Sequence, residues 1–236
     1  MVNILLDGLN IESQWIYKEL KSYIKKDYMV TVIPFSFRDN QVKNSDEWNT
    51  LYGKMDGKIY RKIVRGFSAY DIPEYNISFI NYFIDTKESA QQKIKRANII
   101  YFTGGLPDRL MDRIKEFDLY DIIMEHNEVV MGYSAGALVQ LEEYHLSPDE
   151  DYPDFKYCKG FPFLSDFYVE FHYKSTSLQN AAINHVLAER RKKVYAVEPD
   201  SGAILIENGD IHLIGNVQLF EMIKEQKQRC RLSKQL

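Results

Sequence analysis

Residues 128–137 run Glu128-Val129-Val130-Met131-Gly132-Tyr133-Ser134-Ala135-Gly136-Ala137. The apolar start predicts a buried strand over 128–131, and Ala137 to Glu143 predicts a helix. Between them stands G-x-S-x-G, a short pattern that gains its meaning from a strand–turn–helix setting. The reason is steric. A serine on a sharp strand-to-helix turn sits in a strained backbone, and the residues two places either side must be small for the turn to close. Gly132 and Gly136 meet that need. Such a turn carries the Ser134 hydroxyl to the carboxyl end of a sheet, where the N–H groups of the next helix's first turn face developing negative charge.

Outward from this turn, strands and helices alternate. Upstream, Asn3–Leu6 predicts a first strand ending in the turn Asp7-Gly8-Leu9-Asn10. Glu12–Lys25 predicts a helix and Met29–Phe35 a strand, with weak helical periodicity over 46–70. Ile77–Phe83 predicts a strand and Lys87–Arg96 a polar helix. Asn98–Phe102 predicts a strand that ends at Thr103-Gly104-Gly105, followed by helices over Leu106–Glu116 and Asp121–Met124. Downstream, Ser147–Asp154 is an acidic loop, Phe167–Tyr173 a strand, Ser177–Arg191 a helix and Lys193–Val197 a strand. Asn208-Gly209 joins 203–207 to 211–214 as a hairpin. This order predicts an α/β protein: a mostly parallel sheet with helices on both faces and a C-terminal β-hairpin. No repeat or linker divides the chain, so a single domain over 1–236 is expected, with a polar tail or terminal helix over 224–236.

The 236 residues are 45% hydrophobic and 27% charged, with a net charge of −4. That balance disfavours a general nucleic-acid binder. No apolar run approaches the roughly 18 residues of a membrane span. The N-terminus has no basic region or cleavage site, so no secretory signal is expected. The two cysteines, Cys158 and Cys230, have no metal-ligand spacing and make no disulfide framework. The expectation is a cytoplasmic chain with no metal, cofactor, nucleic acid or membrane partner; a homodimer is compatible with it.

A serine nucleophile needs a base, and the base needs an orienting acid. Of five histidines, His172 in Val169-Glu170-Phe171-His172-Tyr173 lies at a strand end, where this architecture places ligands. It is the preferred base. His126 and His145 are expected at the surface, His185 on a helix face and His212 within the hairpin. For the acid, the turn Glu198-Pro199-Asp200-Ser201-Gly202 follows a strand and offers Asp200 or Glu198. Gly104-Gly105 lets the backbone approach a ligand closely and can aim an N–H at an oxyanion.

The order of Gly-Gly strand end, G-x-S-A-G-A, strand-end histidine and carboxylate turn resembles the peptidase E (aspartyl dipeptidase) and cyanophycinase family. Those are serine peptidases on a class I glutamine-amidotransferase-like, flavodoxin-like fold with a three-layer, doubly wound sheet. The likeness covers roughly residues 95 to 216. It implies Ser134 as nucleophile, His172 as general base and Asp200 as third member, with the N–H groups of Gly105 and Ala135 as oxyanion hole. Gly104, Leu106 and Tyr133 would border a small peptide substrate. Amidotransferases of this fold use cysteine where Ser134 stands, so glutamine hydrolysis is disfavoured. Two departures stand out. Leu106-Pro107 follows the glycines, and Ser175-Thr176-Ser177 occupies the place where aspartyl dipeptidases carry an arginine that reads an acidic side chain.

Two further readings compete with a peptidase. One is an α/β-hydrolase-type esterase using Ser134, Asp200 and His212; the other is a non-catalytic binding member of the fold. The sequence is also rich in aromatics, at 14%. Tyr101, Phe102, Tyr133, Phe167, Tyr168, Phe171 and Tyr173 flank the candidate site residues, and some of them are expected to wall a cleft.

Overall fold

The computed structural model describes residues 1–222; the expected tail over 224–236 and Cys230 lie outside them. The first half holds β1 (Val2–Leu6), α1 (Gln14–Leu20), β2 (Val30–Ile33), α2 (Ser45–Tyr52), α3 (Lys58–Ser68), β3 (Ile77–Phe79), α4 (Lys87–Lys95), β4 (Ile99–Phe102), α5 (Pro107–Glu116) and α6 (Tyr120–Met124). The second half holds β5 (Val129–Tyr133), α7 (Ala135–Leu138), β6 (Glu143–Leu146), β7 (Lys156–Lys159), β8 (Phe167–Glu170), α8 (Ser177–Arg190), β9 (Lys193–Glu207) and β10 (Asp210–Phe220).

Eight strands form one sheet in the order β10-β9-β1-β5-β4-β2-β3, with β8 also paired to β9. β1, β5, β4, β2 and β3 are mutually parallel, so their carboxyl ends share one edge. β9 runs antiparallel to β1 and β10. Alternate residues of the parallel strands face opposite sides. Ile4, Leu6, Val32, Tyr101 and Met131 pack with α1 and α3 through Ile16, Leu20, Ile63 and Phe67. Leu5, Ile33, Phe102 and Val130 pack with α4, α5 and α6 through Ile94, Leu110, Ile114 and Ile123. The result is a three-layer, doubly wound α/β fold.

Local chemistry sets the ends of these elements. Asn44, Thr86 and Thr176 cap α2, α4 and α8 by accepting an N–H three residues on. Pro107 opens α5, where its missing N–H costs nothing. Asn208 and Gly209 take positive φ values of 51° and 90°, as a two-residue hairpin turn requires.

The structure differs from expectation in several places, among them the strands expected over 77–83 and 167–173, which end at Phe79 and Glu170. The first helix stops at Leu20, and the weakly periodic 46–70 segment is two helices, α2 and α3. The helix after the serine turn is only four residues long, because the chain leaves it to form the small β6-β7 sheet, which sequence patterning missed. Finally, 198–202 is not a turn between two strands. β9 continues through it, and Glu198 to Ser201 bulge out opposite the single residue Asn216.

Candidate active site

Ser134 stands between β5 and α7 with φ 50° and ψ −114°, a conformation that L-residues rarely adopt. The strain is held from several sides. Ser134 N–H donates to Leu6 O at 2.9 Å, and Ser134 O accepts from the N–H groups of Ala137 and Leu138. The flanking glycines are needed for closure. A Cβ on Gly132 would lie 2.3 Å from Gly136 O, and one on Gly136 would lie 2.3 Å from Phe102 O. Buried Gln140 braces the turn by donating to Ile4 O and Gly136 O.

His172 reaches this serine from the opposite direction. The first half of β9, beyond the edge where β1 ends, pairs in parallel with β8. β8 therefore points its carboxyl end at the carboxyl ends of β1 and β5. Two residues later His172, with φ 54°, places Nε2 2.9 Å from Ser134 Oγ. Its Nδ1 lies 3.0 Å from Asp7 Oδ1. An ionised carboxylate only accepts, so Nδ1 carries the ring hydrogen and Nε2 is free to accept the serine proton. The His172 backbone is fixed as well: its N–H donates to Asp7 Oδ1 at 2.7 Å, and its carbonyl accepts from Gln179 Nε2 at 3.1 Å. The bond to Asp7 pushes the imidazole above its usual range; partial burial opposes this, and Asp200 adds to it by charge alone.

The carboxylate on the imidazole is thus Asp7, in place of the expected Asp200. Asp7 follows directly on β1 and is 2% exposed. Its Oδ2 accepts the Asp200 N–H at 2.9 Å, so Asp200 contributes its backbone to the arrangement. The Asp200 side chain turns instead to Asn10 Nδ2, at 3.3 Å. The physical reason is register. Leu6 pairs with Tyr133 across the parallel ladder, which puts Asp7 level with Ser134. Glu198 hydrogen-bonds Gln218 on the exposed hairpin and takes no part.

The esterase arrangement does not assemble. His212 sits in β10 opposite Leu205, and β9 and β1 lie between β10 and β5. Three strand spacings of about 4.8 Å separate it from the serine strand by roughly 14 Å. His145, expected at the surface, is buried, with Nε2 2.7 Å from Glu170 Oε2. His126 bonds Val129 O, and His185 pairs with Glu189 on the exposed face of α8.

Gly105 and Ala135 border the same cavity as Ser134. Gly105 has φ 140°, and a Cβ there would lie 2.2 Å from Ser36 O, so the close backbone approach needs glycine. Ser36 locks this segment: its hydroxyl meets Thr103 Oγ1 at 2.8 Å and donates to Gly104 O at 2.6 Å, while Ser36 O accepts the Leu106 N–H at 2.7 Å. Ala135 opens α7, where N–H groups lack intrahelical acceptors.

Two cavities flank Ser134. The first, of about 330 Å³, runs from Gly105, Ser134 and His172 to Glu170, Tyr152 and Gln179. The second, of about 540 Å³, includes Gly104, Tyr133, Arg38, Lys62 and Asp200. Gly104 and Tyr133 therefore border a cavity as expected, whereas Leu106 lines neither. The aromatic wall is thin. Phe171 and Tyr152 line the first cavity and Tyr133 the second; Tyr101, Phe102, Phe167, Tyr168 and Tyr173 are core. The acidic loop 147–154 borders both cavities through Asp149 and Asp151. It is fastened by an Arg38–Asp151 ion pair and by Tyr152 donating to Asp108 at 2.7 Å.

Among the described residues, no group of three or more His, Cys, Asp or Glu is placed to hold a metal ion. No helix there is long and apolar enough to cross a membrane.

The model of peptidase family S51 matches residues 55–214. Among solved structures, a candidate peptidase E of Listeria monocytogenes EGD-e superposes with a TM-score of 0.64 at 15% identity, covering 91% of this chain and 98% of that one. A peptidase from an acI-B1 Actinobacterium does so with a TM-score of 0.62 at 16% identity, covering 93% of each chain. At those identities the likeness is one of fold. No curated protein sequence matches.

Proposed function

The chain belongs to peptidase family S51 and is a serine-type peptidase; on that premise we propose that it cleaves small peptides through an acyl-enzyme built on Ser134, His172 and Asp7. Ser134 Oγ attacks the peptide carbonyl as His172 Nε2 takes its proton. The carbonyl oxygen becomes an oxyanion, which the N–H groups of Gly105 and Ala135, lining the cavity with Ser134, would stabilise. The imidazolium, steadied by Asp7, then gives its proton to the departing amine and the C–N bond breaks. Water attacks the acyl-enzyme by the same route, returning the proton to Ser134 and releasing the acid.

One observation carries this reading: a positive-φ serine at 2.9 Å from an imidazole whose other nitrogen is 3.0 Å from a buried carboxylate. Two modest cavities on either side of Ser134, walled by one loop, favour short peptides over folded protein chains.

The test is a dipeptide and tripeptide hydrolysis screen run beside Ser134→Ala, with fluorophosphonate labelling of both proteins. The wild type is expected to label and to cleave, and Ser134→Ala to do neither while keeping its thermal unfolding. Full turnover by Ser134→Ala, or a folded wild type inert to the probe, overturns the proposal.

A further inference from the structure

The proposed mechanism leaves unused a buried carboxyl group that lines its own cavity. Glu170, the last residue of β8, is 6% exposed and lines the cavity that holds Ser134 and His172. It has no basic partner of the usual kind. Its Oε2 lies 2.7 Å from His145 Nε2 and accepts from Ser147 Oγ at 2.7 Å. His145 Nδ1 is buried without any partner. A hydrogen there would be an orphaned donor, so the tautomer that fits carries its hydrogen on Nε2 and donates it to Glu170. Both recorded hydrogen bonds fall on Oε2, which leaves Oε1 for a donor coming from the cavity. Oε1 is open to the cavity, so a donor entering there would complete the carboxylate.

The lining holds two further carboxylates and, besides His145 and His172, one basic residue. Asp149 and Asp151 border the cavity, and Asp151 is spoken for by Arg38. Among the described residues, the only lysine or arginine in the lining is Lys174, which is exposed. The lining residues Thr176, Leu178 and Gln179 are uncharged. A volume of about 330 Å³ is at the small end for a ligand pocket, enough for one residue.

We propose that Glu170 makes this cavity a subsite for a positively charged group, an ammonium or guanidinium on the substrate residue bound beside Ser134. The inference rests on the peptidase reading and names its substrate class. A cation seated there donates to Oε1, gaining a charge-assisted hydrogen bond. A norleucine side chain of similar length leaves Oε1 unfilled, and an aspartate brings a like charge against it. The specificity is therefore the reverse of one for acidic side chains.

The charge can come from a side chain or from a free amino terminus, and the peptide panel separates them. Acetyl-capped peptides carrying lysine, arginine, norleucine or aspartate are compared, together with uncapped norleucine peptides. Lysine or arginine is expected to exceed norleucine about 10–100-fold in kcat/KM, the range of a hydrogen bond to a charged group. The preference should fall with added salt and collapse towards one in Glu170→Gln. If only the uncapped peptides gain, the cation is the amino terminus. Equal or better cleavage of norleucine or aspartate peptides by the wild type overturns the proposal, as does a preference that survives in Glu170→Gln. If Glu170→Gln fails to fold, Glu170→Asp, which keeps the charge but shortens the reach, takes its place, and an unchanged lysine preference in it overturns the proposal. Fluorophosphonate labelling separates the two levels: a labelled Ser134 with no cation preference sinks the subsite alone. If Ser134 does not label and no peptide is cut, the peptidase reading fails. Calorimetric binding of the capped lysine and norleucine peptides to Ser134→Ala, with and without Glu170→Gln, then still tests the subsite, and equal affinities refute it.

Discussion

Replacing Asp7 by Asn changes one atom and separates the two candidate acids. Asp7 receives three donors: the His172 N–H at 2.7 Å and His172 Nδ1 at 3.0 Å, both on Oδ1, and the Asp200 N–H at 2.9 Å on Oδ2. Asparagine has one acceptor oxygen. If that oxygen keeps the His172 side, the new NH2 faces the Asp200 N–H. If it turns the other way, the NH2 faces His172, and the ring can accept from it only by moving its hydrogen to Nε2, where it blocks transfer from Ser134. One unpaired donor costs about 1–3 kcal/mol, or roughly 2–12 °C of thermal stability for a chain of this size. The chemical step should suffer far more, by about 10⁴ in kcat, the loss known for the corresponding change in serine proteases. Asp200→Asn leaves the Asp200 N–H bond to Asp7 in place, keeps an oxygen that can accept from Asn10, and removes only a screened charge. It should cost less than about tenfold, which is under roughly 1.4 kcal/mol of barrier. The assay is kcat/KM on the best peptide of the screen, with thermal unfolding and probe labelling on both variants. Equal damage from the two substitutions, or more than a tenth of wild-type activity in Asp7→Asn, refutes the assignment.

His172 must be neutral to accept the serine proton, and Asp7 raises its pKa, so kcat/KM should climb with pH through a midpoint above the ordinary histidine value of about 6.5. In Asp7→Asn that midpoint should move down, because the largest raising influence is gone while burial still lowers it. The same shift makes the folded protein bind its proton more tightly than the unfolded chain. The stabilisation is full below about pH 6.5 and is lost as pH rises through the folded value; in denaturant titrations the gap between wild type and His172→Ala should be wider at acid than at alkaline pH. Gly132→Ala would drive a methyl to 2.3 Å from Gly136 O, backbone against backbone; a loss of about 1–3 kcal/mol together with abolished probe labelling is expected, and a wild-type melting curve would contradict it. Thr176→Ala removes the cap that accepts the Gln179 N–H at 3.2 Å, and urea unfolding should register about 0.5–2 kcal/mol.

Most of the fold could be read from local pattern. The strand–turn–helix around Ser134, the Asn208-Gly209 hairpin and the alternation of elements are decided by residues close in sequence. What failed was decided at a distance. The predicted helix runs from Ala137 to Glu143, and only the pairing of Glu143–Leu146 with Lys156–Lys159 turns the chain into a strand there. His145 looks like a surface residue until Glu170, 25 positions away, buries with it. The bulge over 198–201 has turn composition because a bulge needs turn residues, yet the flanking ladders make it part of one strand. Asp7 was visible as the polar end of an apolar strand, but nothing local pairs that strand with the one before Ser134.

The choice between Asp7 and Asp200 comes down to which element can hold a carboxylate still. Asp7 sits one residue beyond a strand laddered on both sides, by β5 and by β9, and its own acceptors tie down both His172 and Asp200. Asp200 rides on four residues that bulge opposite one, with its side chain on a single 3.3 Å bond. An imidazole must keep its orientation through four proton transfers per turnover, two in acylation and two in deacylation, and a partner fixed by two ladders keeps it better than one fixed by a bulge. The arrangement is also sensitive to register: a one-residue slip of β1 against β5 would move Asp7 out of level with Ser134 and turn it to the other face of the sheet. The bulge can absorb such a change and β1 cannot, so substitutions that preserve charge but loosen β1, such as Leu5→Ala or Leu6→Ala, should weaken catalysis more than comparable changes at Pro199 or Ser201.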